Sequence, residues 1–312
     1  MKNIKKNGYQ EWKAVVKKDF QRNKSVYLML VFPIIFYILF KFVPMYGLII
    51  AFQNYRPRLG ITGSSFVGFK HFATFLRSPS FLQVLFNTLR ISVVSILFAF
   101  PAPIVLALLF NEITNKKFAK VVQTVSYMPH FISLVVICGM ITSFTLDTGV
   151  VTQALGYFGF EPKTLLSYAK YFIPVYVLSD IWQNVGWGSI IYLAALTSID
   201  PCLYEAARVD GANRWKQTIH ITLPGISSTI VVLLILRVGG VLNVGFEKII
   251  LLYNDATMRV ADVISTYVYR KGLLEQNWSF SSAVGMMNSL VNFLILIGVN
   301  AICKKINDTS LW

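Results

Sequence analysis

The chain is 312 residues long, 55% hydrophobic and only 14% charged, with a mean hydropathy of +0.59 and a formal net charge of +15. So little charge on so much apolar sequence excludes an ordinary soluble domain. The positive excess does not point to nucleic acid, because a membrane protein gathers Lys and Arg on its cytoplasmic side.

Residues 1–25 form a basic tail carrying Lys2, Lys5, Lys6, Lys13, Lys17, Lys18, Arg22 and Lys24. A secretory signal has the same polarity, but the apolar run that follows lacks a small-residue cleavage site, and five more runs come after it. We read an uncleaved first span at about 26–50, bent at Pro33 and Pro44, with Lys41 snorkelling or facing protein. The loop 51–80 has turn signals at Arg56-Pro57 and Ser78-Pro79; its Gly63…Gly68-Phe69-Lys70 lacks the Gly-Lys-Ser/Thr ending of a phosphate loop.

The second span, about 82–110, is expected to kink at Pro101 and Pro103, and a basic loop with Lys116, Lys117 and Lys120 leads to the third, about 121–146. A loop rich in Gly and aromatics, 147–170, precedes the fourth span, about 171–196, the most polar of the set. The fifth runs from about 226 to 252 with Arg237, Asn243 and Glu247 inside it. Loop 253–281 follows, then the sixth span, about 282–303, and a tail, 304–312, with Lys304 and Lys305. Each run meets the ~20 residues needed to cross the hydrocarbon core. The expectation is an all-α integral membrane protein with one six-span domain, 26–303. Lys and Arg number sixteen on the side of the termini and nine on the other. The positive-inside rule therefore puts both termini, and the segment 200–224, in the cytoplasm.

That segment is the polar, structured stretch between two apolar runs. Tyr204 to Arg208 is strong helix-forming sequence, with Glu205 and Arg208 spaced as an i,i+3 ion pair. Asp210-Gly211 is a turn dipeptide. A second short helix from Ala212 to His220 is expected, with Pro224 opening the next span. At these residues the chain resembles the permease subunits of ATP-driven (ABC) importers, whose signature is Glu-Ala-Ala, three residues, Gly, nine residues, Ile, one residue, Leu-Pro. Glu205, Ala206, Ala207, Gly211, Ile221, Leu223 and Pro224 fill every position. The resemblance implies a type I ABC importer permease fold in a bacterial plasma membrane. It also implies that this loop, Asp210 included, couples to a cytoplasmic ATPase.

The residues themselves leave little room for catalysis. With no Gly-Lys-Ser/Thr phosphate loop, the chain must borrow an ATPase. Its histidines, His71, His130 and His220, form no ligand spacing, and Cys138, Cys202 and Cys303 are scattered without a CxxC, so neither a metal nor a disulfide is expected. No cofactor is expected, and no enzyme activity. A membrane channel and a membrane-embedded enzyme remain as minor alternatives. Reconstituted transport that needs no ATP would favour the first, product formation without a partner the second.

For the cargo, Asn184 and Arg237 lie ~12 residues, or ~18 Å, from the ends of antiparallel spans, so they can share a depth. Trp182, Gln183, Asn184, Trp187, Arg237 and Asn243 can then form a polar belt, and Asn288 and Asn292 share a helix face. Aromatic faces beside amides suit sugars; equally, Asn and Gln join helices in membranes. For Asn288 and Asn292 both readings stay open. For Arg237 the readings are a clamp on acidic or heavily hydroxylated cargo, or a structural pair with Asp180.

The stretches IWQNVGWGSIIYLAALTSIDPCLYEAARVDGA, YMPHFIS, NVGFEKIILLYN and DVISTYVYRKGL are similar to carbohydrate-importer permeases that handle oligosaccharides. By position, the likeness to the maltose transporter implies one cargo wall at Trp182, Gln183, Asn184 and Trp187, and a second at Arg237, Val241, Asn243 and Val244. It further implies a second homologous permease, two ATPase copies, an extracytoplasmic sugar-binding protein and contact with membrane lipid. A permease for another polar solute, a polyamine or a peptide, is the alternative within transport.

Overall fold

The computed structural model describes Val15 and residues 18–307; most of the tail read at 1–25 and the last five residues of the tail at 304–312 lie outside them. The chain divides into two compact units with the boundary between Phe69 and Lys70.

The first unit is built on helix α1, Lys24–Phe52, 29 residues long and with none of its most apolar window buried. A helix that is apolar all round and uncovered is a membrane span by composition. Pro44 cannot donate to the carbonyl one turn back, and the helix widens into a π turn at Ile38–Phe42 just before it. The helix then tightens to 3-10 geometry over Tyr46–Phe52. After α1, within the expected loop 51–80, strands β1 (Gln53–Asn54) and β2 (Ser65–Phe66) pair antiparallel, Gln53 opposite Phe66, around the short helix α2 (Gly60–Gly63).

The second unit begins with α3 (Lys70–Leu76), then α4 (Pro79–Phe98) and α5 (Pro101–Asn111), which together make one apolar span of 33 residues interrupted at the expected prolines. Helix α6 (Lys116–Tyr127) passes through a 3-10 turn at Met128–Phe131 and then meets α7 (Leu134–Phe144) at 99°. The third span, expected at about 121–146, is thus sharply bent. The short α8 (Val150–Gly156) lies in the following loop.

Helix α9 (Ala169–Leu196) is the fourth span and the hub of this unit. Its backbone touches that of α6 at Gly186, where an added Cβ would stand 2.0 Å from the Ser126 carbonyl oxygen. Only glycine permits such an approach. Then come α10 (Pro201–Val209), α11 (Arg214–Gly225), α12 (Ser227–Gly239), α13 (Phe246–Leu252), α14 (Met258–Ala261), α15 (Ile264–Tyr269) and α16 (Trp278–Asn307).

The fifth span also departs from expectation. The span is expected at about 226–252, but the helix stops at Gly239 and resumes at Phe246, leaving residues 240–245 as irregular backbone. Irregular backbone at membrane depth is tolerated where protein or a wet cavity satisfies it. Here Ser92 donates to the Val241 carbonyl, and the Leu242 N–H donates to Asn292 Oδ1 at 3.1 Å.

Among the described residues three helices are long and apolar enough to cross a membrane, and up to six spans result when each of the three bent pairs counts as one. Apolar clusters join elements within the second unit. Ile91, Ile137, Phe172, Tyr176 and Ile249 tie α4, α7, α9 and α13. Phe75, Val84, Tyr267, Phe280 and Val284 tie α3, α4, α15 and α16. Ile104, Ala107, Tyr192, Leu196 and Ile226 hold the α10 end of the unit together.

Candidate functional site

The segment 200–224 is a capped helix followed by a tight reversal. Asp200 accepts from Cys202 N–H at 2.9 Å, and Pro201 fills the first helical position, where no donor is needed. At the other end the Gly211 N–H donates to Arg208 O and the Ala212 N–H to Ala207 O, at 3.1 and 2.8 Å. These two bonds, with Gly211 at φ +75°, are the glycine stop of a Schellman motif. In this motif Ala207 and Ala212 occupy the two positions where an apolar contact commonly forms.

The returning helix of the segment, α11, is tied down twice. Tyr204 and Thr222 hydroxyls lie 3.0 Å apart, and Arg214 Nη1 donates to Glu112 Oε2 at 2.7 Å. The latter pair is exposed and contributes little by itself. A π turn at Thr218–Thr222 precedes Pro224, as the one in α1 precedes Pro44. Glu205, Ala206, Asp210, Gly211 and Pro224 are exposed, while Ile221 and Leu223 are half-buried. Among the described residues no ion pair joins Glu205 to Arg208, so α10 relies on its caps rather than on that pair.

The predicted belt divides into three places. Along one face of α9, Asn184 Nδ2 donates to Asp180 Oδ1 at 2.9 Å, and Asn184 Oδ1 meets His130 Nδ1 at 3.0 Å. Trp187 stacks on His130 at 4.8 Å between ring centres and 3° between planes. Trp182 stands elsewhere, half-exposed on the wall of an apolar cavity of about 510 Å³ with Met140, Phe144 and Leu178. Gln183 is buried.

Arg237 and Asn243 line a second, polar cavity of about 190 Å³ where the fifth span breaks, together with Ser92, Ser95, Tyr176 and Asp180. Asn288 and Asn292 donate to Asn243 Oδ1 at 3.0 and 3.2 Å. This is the helix-joining geometry that the sequence left open for them, and it braces the break. Val241 and Val244 line the same cavity.

Sequence reasoning missed Lys248. It lies in α13, 4% exposed, with Nζ 3.9 Å from Asp180 Oδ1 and 5.1 Å from the centre of the Tyr176 ring. Asp180 therefore pairs with Lys248, and the Arg237–Asp180 pair considered from the sequence is not among the ion pairs of the described residues. The signal was present: a lone Lys among Ile249, Ile250, Leu251 and Leu252, close after Gly239, Gly240 and Gly245. Such a charge needs a partner, and three glycines in seven residues announce a break.

Comparison with known proteins follows the same outline. Residues 99–308 match the family described as binding-protein-dependent transport system inner membrane component. The chain is 44% identical over 292 residues to the polygalacturonan/rhamnogalacturonan transport system permease protein YteP of Bacillus subtilis (strain 168), covering 93% of this chain and 91% of that protein. It is 42% identical over 302 residues to Protein LplB of the same organism, covering 96% and 94%. Among solved structures, a bacterial alginate ABC transporter in complex with an alginate pentasaccharide-bound periplasmic protein contains a chain that superposes with a TM-score of 0.86. That chain is 43% identical, and the match covers 94% of this chain and 99% of that one.

Proposed function

This chain belongs to the inner membrane components of binding-protein-dependent transport systems, and from that premise we propose that it carries oligosaccharides inward by alternating access. It is a permease of the ABC type rather than an enzyme, all-α and membrane-spanning. Its proposed partners are a second homologous permease, two ATPase subunits on the cytoplasmic side and an extracytoplasmic sugar-binding protein. ATP binding closes the ATPase pair, the 200–224 loops follow, and the cargo path opens outward; hydrolysis reverses the motion.

The observation that carries the coupling half of this reading is α10 itself. It is a short helix, capped at both ends, that presents Glu205 and Ala206 to solvent, and among the described residues the Glu205 side chain makes no hydrogen bond or ion pair. A surface element so ordered and so unengaged suits docking. The cargo half is supported by relatives described as a polygalacturonan/rhamnogalacturonan transport system permease and an alginate ABC transporter.

The test is reconstitution with the partner subunits in proteoliposomes. Oligosaccharide uptake should require ATP, and Gly211→Pro should abolish sugar-stimulated ATPase activity while the protein still inserts, because Pro cannot adopt φ +75°. Transport at the parental rate by a well-inserted Gly211→Pro variant would sink the coupling role, and uptake without ATP would return the reading to a channel.

A further inference from the structure

The cavity at the break in the fifth span is lined by one acid and one arginine, and the acid is already committed. Asp180 Oδ1 takes the Asn184 amide at 2.9 Å and faces Lys248 Nζ at 3.9 Å. Lys248 is buried, and its Nζ makes no hydrogen bond to the protein. Acid and lysine thus cancel. The guanidinium of Arg237, exposed on the cavity wall, belongs to no ion pair among the described residues and stays uncompensated. A cation inside a span is costly unless something polar meets it.

A second observation sets the sense of the neighbouring wall. The Leu242 N–H can only donate, so the Asn292 atom 3.1 Å away is Oδ1. Asn292 Nδ2 is then the atom that reaches Asn243 at 3.2 Å, and Asn288 Nδ2 meets the same oxygen at 3.0 Å. With Asn243 Oδ1 accepting twice, the Asn243 Nδ2 is the group left to the cavity. Arg237 and Asn243 therefore offer N–H donors there with no acceptor of their own.

We infer that Arg237 and Asn243 form a carboxylate-binding subsite that favours uronate-bearing oligosaccharides over neutral ones of the same size. The planar guanidinium matches a carboxylate two bonds at a time, and the amide adds a further donor. Lys248 serves the subsite from outside it: by holding Asp180, it keeps Arg237 from being quenched. The inference rests on the oligosaccharide reading above.

The experiment uses the whole transporter in proteoliposomes, with trigalacturonate and its fully methyl-esterified form as probes and xylotriose as a neutral sugar without the ester. The quantity read is the ratio of kcat/KM for the acid to that for the ester. Arg237→Gln should lower this ratio at least tenfold, and Arg237→Lys should retain part of it. Asn243→Asp keeps an oxygen toward Asn288 and Asn292 but turns a negative oxygen to the cavity, so it should lower the ratio as well.

Equal losses for both probes overturn the subsite. So does loss of the second permease from purified Arg237→Gln transporter together with a parental ratio in Asn243→Asp, since Arg237 then pairs across the subunit interface. Uptake of xylotriose alone by the parent removes the subsite and leaves the oligosaccharide reading standing; uptake of no sugar removes both.

Discussion

Replacing Lys248 by Met removes one partner of a buried pair and leaves the other in place. The side chains of Lys248 and Asp180 are 5% and 25% exposed and their charges 3.9 Å apart. At an effective dielectric of about 20, such a pair interacts by about 4 kcal/mol before desolvation is counted. Asp180 keeps the Asn184 amide and some contact with the cavity, which lowers the loss, while stranding a buried charge raises it. We expect Lys248→Met to cost about 3 kcal/mol, or roughly 6–12 °C in Tm at 2–4 °C per kcal/mol. Adding Asp180→Asn should recover most of this, because Asn neither strands a charge nor loses its tie to Asn184. The measurement is thermal unfolding of the purified complex in detergent across the double-mutant cycle. Strictly additive losses would refute the pairing. A coupling of similar size between Asp180→Asn and Arg237→Gln would refute it too, because Arg237 would then be the true partner of the acid.

At Gly186 the added methyl of Ala would collide with the Ser126 backbone, so Gly186→Ala should sharply reduce folded protein on size-exclusion chromatography. Gly285→Ala on α16, where nothing lies within 4 Å, should not. Asn184→Ala breaks the bonds to both Asp180 and His130, and should lower the thermal stability of the complex by about 1–3 kcal/mol as well as weakening uptake; parental stability with weakened uptake would make Asn184 a cargo contact alone.

The six apolar runs were legible because spanning imposes length, and length is counted directly from residues. The α10 stop was legible for a similar reason: a Gly after Asp210 specifies a left-handed turn locally. The breaks were harder to see. Residues 240–245 leave helical geometry because Ser92 and Asn292, far away in sequence, satisfy their backbone, and no window around residue 243 contains that information. The bend after Met128–Phe131 had Pro129 as a local sign, but its 99° angle and the close approach of α6 to α9 at Gly186 are not written in any local window. Depth arithmetic placed Asn184 and Arg237 at one level but could not say which cation takes Asp180, because that depends on helix rotation. The same rotation sends Trp182 to the apolar cavity while Asn184 and Trp187 face His130.

The backbone contact at Gly186 also gives α9 a fulcrum. From Gly186 the helix runs ten residues, ~15 Å, to Leu196 beside α10, and six residues, ~9 Å, the other way to Asp180. A stiff rod with those arms turns a sideways push of ~3 Å at Leu196 into a counter-swing of ~2 Å at Asp180. Asp180 sits 3.9 Å from Lys248 on a different span. About half of that swing in one direction closes the two to hydrogen-bonding distance, and the full swing in the other parts them to ~6 Å. Depending on that direction, a thrust at the α10 end would either lock α13 to the hub helix or release it.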